Sequence, residues 1–457
     1  MKEDIVKLVR DTAKETSNLL SKYKELDGYQ VLAYFRDHSL TRFANNVIHQ
    51  QVTSDMLRIQ IKGFKGKKLN SITSTANDNQ ITQVVKEFVE NIQQSPEIPY
   101  LQGFAEKQNY DEIQATGTIL DAESRGEIIE RAYAQAMNMD KTVKLFGKVE
   151  VLDFAYAVIN SNGLEGSHRF NYNDFKVMSI KEEGSNRGFG REIQATREGK
   201  DLEVEKLTDS AVKISIDTLH AKSVEPGDYT VILRPQAINE LIGYSIYGLS
   251  ADNFHQGNSA YSDRLGEQLL SENFTVSDLP LDNNSIFASP LDGEGVARKN
   301  RKIIENGIPK QVLYDTLSAS QFLDDKNLTS GHSNIPYSDY AWGTLLNLQL
   351  TGGDSSEEEM IQDTQHGLLV QTFWYSNPVN MPKGIITGLT RDGLYLIENG
   401  EISHAVKNMR YTDSLLEFFK TIQYIGKKHH SMIDEGSFSR MPVTRLEKLK
   451  FTGQSKH

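Results

Sequence analysis

Two hydrophobic periods alternate along this chain without settling into one repeat, and that alternation confines it to a mixed fold. Ile5, Leu8, Val9, Ala13, Leu19, Leu20 and Tyr23 recur at three- and four-residue spacing and predict a helix ended by Asp27-Gly28. Residues 29–35 and the segment through Phe43 and Val47 read as extended, and Leu57, Ile59 and Ile61 then occupy every second position, as in a strand with one buried face. The helical period returns at Ile81, Val84, Val85, Phe88, Val89 and Ile92, and Pro96 and Pro99 stop it. Residues 1–100 are therefore expected to form an N-terminal helix and antiparallel-sheet module.

The segment 95–112 has no sustained period and is expected to be a linker or domain-edge loop. A central module, 101–222, follows. It has a helix over 121–139, strands over 144–160 and 168–181 joined by a tight turn at Asn162-Gly163, and a helix over 201–221. The turn cluster Val224-Glu225-Pro226-Gly227-Asp228 opens a strand-rich domain, 223–457. There Asn306-Gly307 and Asn399-Gly400 each predict a two-residue hairpin turn; their flanks look alike because they share a turn type. Residues 352–363 read as an acidic surface loop entering a helix, 414–425 as a helix and 443–453 as a final strand. The fold class is α+β, with N-terminal helix and antiparallel-sheet modules followed by a larger strand-rich C-terminal domain.

Length and composition narrow the functional classes. With 457 residues there is room for two or three domains. No apolar run approaches the roughly 20 residues that span a bilayer, and charges interrupt the apolar positions of MKEDIVKLVRDTAKETSNLL, so a cytoplasmic, unexported protein is expected. The absence of cysteine removes disulfides, thiolate zinc sites, iron–sulfur clusters and cysteine nucleophiles together. A formal charge of -12 repels phosphate backbones, so direct nucleic-acid binding would need a local basic patch. Arg187, Arg191 and Arg197 are the best candidate, but no aromatic stacking platform accompanies them and they read as a solvated loop.

The stretch INELIGYSIYG, 238–248, is the chemically suggestive one. A helical metallohydrolase needs two imidazoles on one helix face, a glutamate beside them to deprotonate metal-bound water, and a third ligand from elsewhere. Glu240 is present, but Asn239 and Tyr244 flank it where imidazoles would stand. Among the 11 histidines only His429 and His430 are close in sequence. Adjacent residues on a helix point roughly 100° apart, so that pair is expected at a polar helix end and not in a metal site. Ser245 lacks a serine-nucleophile elbow because Gly248 comes one place late. Gly184, Gly188 and Gly190 lack a phosphate-binding lysine and read as a hairpin tip. The residues alone define no self-contained active site.

Four segments, LTRFANNVIHQ (40–50), NSAYSDRLGEQLLSENFTVSDLP (258–280), DGEGVARKNRKIIENGIPKQVLYD (292–315) and GLYLIENGEISHAVKNMRYTDSLLEFFKTIQYIG (393–426), resemble in order and spacing the TldD/PmbA family. Its members were long called modulators of DNA gyrase and are regarded as cytosolic metallopeptidases. In the catalytic TldD branch, the helix before the second segment carries HExxxH, and a late cysteine completes a zinc site. Carried over, the histidines fall on Asn239 and Tyr244, the glutamate on Glu240, and the cysteine nearest Phe438 in GSFSRMPV, 436–443. Carboxamide, phenol and phenyl groups do not replace two imidazoles and a thiolate on zinc.

The resemblance therefore implies the PmbA (TldE) branch: a chain with no cofactor and no hydrolytic activity of its own. It would pair with a zinc-bearing TldD-like subunit, or with itself, around a cavity where unfolded or leader peptides are cleaved. Glu240 would then be a hydrogen-bond acceptor on the helix face. The rival expectations are an active peptidase built from His255, His332 or His366 with nearby acids, and a regulator that binds gyrase.

Overall fold

The structure, a computed structural model, describes residues 4–76, 78–337, 346–434 and 437–454. Its N-terminal part is built on one antiparallel sheet of six strands: β1 (Gly28–Ala44), β2 (Val47–Lys65), β3 (Lys68–Thr75), β4 (Lys144–Asn160), β5 (Glu165–Glu183) and β6 (Asn186–Thr196), in the order β3-β2-β1-β4-β5-β6. Asn45 and Asn46, with φ of 51° and 67°, make the turn between β1 and β2, so the motif LTRFANN is a hairpin tip. Asn46 then fastens that tip to the start of β4, donating to the Val143 carbonyl at 3.1 Å and accepting from the Leu145 N–H at 2.6 Å.

The module boundary expected at residue 100 falls inside this sheet. β1 pairs with β4 from Gln30↔Asn160 to Phe43↔Gly147, so the period-free segment 95–112 connects two halves of one structure. Local sequence reports the loop, while the pairing across it is set by complementary apolar faces far apart in the chain. The turn at Asn162-Gly163 also differs from expectation. Only Gly163 has positive φ, and the Asn160 carboxamide spans a wider loop by accepting from the N–H groups of Asn162 and Leu164.

Both faces of the sheet are covered. One carries helices α1 (Ile5–Leu20) and α2 (Asp78–Asn91), whose Val9, Ala13, Val85 and Phe88 pack on Val31, Ile59 and Ala155. Beside them α3 (Ala122–Met139) and α4 (Val204–Asp217) pack on Val149, Phe175 and Val177. The opposite face presents Phe154, Tyr156 and Phe170 to Phe287, Leu291 and Phe438 of the C-terminal half. Alternation is thus clear only where one side meets solvent, as in β3, and is lost in the centre of β4, which is buried from Val149 to Ala157 except at Glu150.

The C-terminal half holds β7 (Gly227–Leu233), β8 (Val276–Asp278), β9 (Arg301–Glu305), β10 (Ile308–Pro309), β11 (Asn347–Leu350), β12 (His366–Asn380), β13 (Ile385–Glu398), β14 (Glu401–Ala405), β15 (Met409–Ser414), β16 (Ile422–Asp434) and β17 (Ser437–Gln454). β7 pairs with both β12 and β17, and β12-β13-β15-β17 are paired in series, so five strands close into a ring. Both Asn-Gly turns form as expected, with φ of 49° and 76° at Asn306-Gly307 and 53° and 82° at Asn399-Gly400. The acidic run enters a short helix, Glu357–Gln362, through a capping box of Ser356 and Glu359.

The helix expected over 414–425 is only the stub Leu415–Phe419. Ile422 and Tyr424 instead pair with Leu446 and Arg445 in the long β16–β17 hairpin, where β-branched and aromatic residues fit a ladder. Two of the three loop glycines also do more than form a tip. Gly184 turns the β5–β6 hairpin, but a Cβ on Gly188 or Gly190 would stand 1.8 Å from the Ser215 carbonyl oxygen or 2.1 Å from that of Ala211, so these residues let α4 lie close on β6. Gly190→Ala is expected to force helix and strand apart at a cost of about 1–3 kcal/mol, read as a lower urea midpoint with an unchanged slope.

Candidate functional site

The degenerate motif lies on α5 (Pro235–Tyr247), which follows β7 directly and has Pro at its first helical position. Arg234 anchors the junction: its Nη2 is 2.6 Å from the Glu357 carboxylate and its Nη1 donates to Gln371 Oε1 at 2.7 Å. Ile238, Leu241 and Ile242 are buried against the ring strands, which leaves Asn239, Glu240 and Tyr244 half-buried on the flank.

That flank meets the irregular end of β12. Tyr375 has φ of 55°, the register slips between Trp374 and Asn377, and the backbone of Ser376 turns toward the helix. Glu240 and Tyr244, one turn apart on the same face, take up both of its main-chain polar groups. The Ser376 N–H donates to Glu240 Oε1 at 3.3 Å, and the Tyr244 hydroxyl donates to the Ser376 carbonyl. The Ser376 side chain is hydrogen-bonded to the Tyr411 hydroxyl at 2.7 Å, and burial pushes that phenol's pKa up. The carboxylate and phenol act as a substitute strand edge for Ser376.

This donor set does not fit zinc. Tyr244 spends its hydroxyl proton on a carbonyl, Asn239 offers a carboxamide, and Phe438 has no donor atom. The fully buried Phe438 packs with Phe287, Phe170 and Ile433 against the N-terminal sheet, whereas Tyr244 packs on the core of the ring. Glu240 and Tyr244 are brought together, and Phe438 belongs to a different cluster. Gly436, which opens the segment quoted with it, lies outside the described residues. Among the described residues, no three His, Cys, Asp or Glu side chains are grouped so as to hold a metal ion.

The other candidates are placed as follows. Ser245 is fully buried and hydrogen-bonded to the Tyr261 hydroxyl. His429 and His430 lie in β16 and not at a helix end, because the chain there pairs with β17; they reach the carbonyls of Leu350 and Ile193. Arg187 and Arg191 lie on β6 and Arg197 just beyond it, not in a loop, and only Arg187 is largely exposed to solvent. Strand alternation directs them to Glu182, to Gln236, and to the carbonyls of Gln114 and Ser285. His255 contacts Tyr314 and stacks on Phe322, His332 lies on Asp278, and His366 stands beside Tyr229, so the three do not share one site. His457 lies outside the described residues.

Sequence reasoning missed a buried polar chain. Ser330 Oγ is 2.8 Å from His332 Nδ1, His332 Nε2 is 3.3 Å from Asp278 Oδ2, and the same oxygen accepts from Arg298 Nη2 at 2.8 Å. Nearby, burial and the charge of Glu294 push the Asp292 carboxyl up to about 7. The acid-glycine-acid-glycine run of DGEG, 292–295, was the available signal for Asp292 and Glu294, whereas nothing local marked Ser330, His332 and Asp278 as partners.

Residues 226–453 match the PmbA/TldA metallopeptidase C-terminal domain. The chain belongs to the PmbA/TldD family. A curated metalloprotease of Methanocaldococcus jannaschii is 29% identical over 234 residues, 49% of this chain and 50% of that protein. The chain thus spans about half the length of that relative. A TldD metalloprotease homolog of Buchnera aphidicola is 24% identical over 388 residues, 82% of this chain and 75% of that one. In fold, the chain is similar to TldE from Thermococcus kodakarensis, with a TM-score of 0.88 and 18% identity over 97% of this chain and 100% of that one. A Thermotoga maritima protein described as a candidate modulator of a DNA gyrase superposes with a TM-score of 0.82 at 20% identity, over 97% of this chain and 99% of that one.

Helix α5 lies within the matched domain and carries an edge-capping constellation on its flank. Tyr244→Phe leaves the Ser376 carbonyl without its donor and is expected to cost about 1–3 kcal/mol. Glu240→Gln keeps an acceptor for the Ser376 N–H and is expected to cost less than about 1 kcal/mol. Urea titrations of both variants check that order.

Proposed function

We propose that this chain is the non-catalytic, TldE-like subunit of a cytoplasmic metallopeptidase, shaping a cavity for unfolded or leader peptides together with a zinc-bearing TldD-like partner. The observation that carries this reading is the use of Glu240 and Tyr244 on Ser376. A general base needs a metal-bound water to act on, and the groups beside Glu240 that would have to hold the metal are the carboxamide of Asn239 and the phenol of Tyr244, whose proton is donated to the Ser376 carbonyl. Zinc therefore belongs to the partner in this reading, and no hydrolytic step is assigned to these residues. A cysteine-free chain fits a reducing compartment, and no described helix is long and apolar enough to cross a membrane.

The gyrase description of a structural neighbour supports a second, weaker reading, a regulator acting through gyrase protein. The net charge of -12 and the internally paired arginines disfavour direct contact with DNA.

Elemental analysis and a peptidase assay test the main reading. The purified chain alone is expected to hold no stoichiometric zinc and to leave an unfolded peptide intact. Mixed with a TldD-type protein bearing HExxxH, it is expected to co-elute and to accompany chelator-sensitive cleavage. One zinc per isolated chain, held through dialysis, would sink the proposal.

A further inference from the structure

A cavity of about 540 Å³ opens between the short helix Ala251–His255, the β9–β10 hairpin and the loop around Ser330. The Asn306-Gly307 turn builds one wall, because it folds β10 back on β9 and brings Lys310 and Gln311 beside Arg301. The floor is rigid: Ser330 is held by His332 and by the Tyr314 N–H at 2.6 Å, and Tyr314 in turn holds His255 at 2.7 Å. Burial lowers the pKa of His255, whose ring forms a wall stacked 4.4 Å from Phe322. Leu265 and Leu328 stand exposed at the lining, 44% and 56% accessible.

Charge decides what such a cavity accepts. Its lining holds two cations, Arg301 and Lys310, against one acid, Asp263, in a chain whose net charge is -12. Arg301 is half-buried and donates only to the neutral Gln311 Oε1 at 3.2 Å; among the described residues no carboxylate forms a salt bridge with it or with Lys310. The carboxylate that acts on Arg301 at longer range, Asp278, is already taken up by Arg298 and His332, and the buried Nε of Arg301 has no hydrogen-bond partner. A partly desolvated guanidinium with donors to spare is costly, and its planar fork matches a carboxylate. Apolar side chains beside that fork suit the side chain of the same ligand residue.

We propose that this cavity binds the C-terminal residue of a peptide, its free α-carboxylate on Arg301 and Lys310 and its apolar side chain against Leu265 and Leu328. The site is separate from the α5 flank. It requires neither zinc nor a partner, so it can fail while the subunit reading stands, and the reverse.

The test is a fluorescence-anisotropy titration of the full-length chain with a dye-labelled tetrapeptide ending in leucine, as free acid and as C-terminal amide. The acid is expected to bind roughly tenfold more tightly, the equivalent of about 1.4 kcal/mol. Arg301→Gln is expected to abolish the difference and Lys310→Gln to reduce it, with the reduction largest at low salt. Lys310 is exposed, so its variant carries the test should Arg301→Gln fail to fold. Equal binding of acid and amide, no binding of either at millimolar peptide, or an acid preference that survives in both variants overturns the proposal.

Discussion

Closure of the C-terminal ring through β7 and β17 is the constraint on which the site depends. β7 hydrogen-bonds to β12 on one side and to β17 on the other, with Leu233 opposite Thr444. Because α5 begins two residues after β7 ends, the helix has no freedom to leave the ring. Its apolar face is committed to the core, and its flank must lie along β12. Glu240 and Tyr244 meet Ser376 as a consequence of that geometry.

The end of β12 explains why those two side chains suit their places. A bulge at Tyr375 interrupts the β12–β13 pairing, which resumes at Asn377, and would leave the N–H and carbonyl of the buried Ser376 without strand partners. An acceptor and a donor four residues apart on one helix answer that need. Imidazoles at Asn239 and Tyr244 would serve a metal, whereas a carboxylate and a phenol serve the backbone.

The N-terminal sheet shows a related economy. Its helices cover one face and the C-terminal half covers the other, so Phe154, Tyr156 and Phe170 act as an internal interface. Phe438 is part of it. A residue that sequence correspondence sets near a metal-binding position is, in three dimensions, a wedge between the two halves, and its aromatic ring is the appropriate chemistry for that role.

Features governed by neighbours in the chain were legible in the amino-acid order. The amphipathic helices, the two Asn-Gly turns and the acidic capped helix all follow from local spacing or residue identity. Long-range pairing was not legible. The union of the first two modules in one sheet, the ring closed by β7 and β17, the strand at 422–434 and the meeting of Arg301 with Lys310 depend on which distant faces bury each other. The purpose of Glu240 belongs to this second group. Its carboxyl group announces an acceptor, but only the folded chain supplies the Ser376 N–H, because hydrogen-bond partners are chosen by proximity in space and not along the backbone.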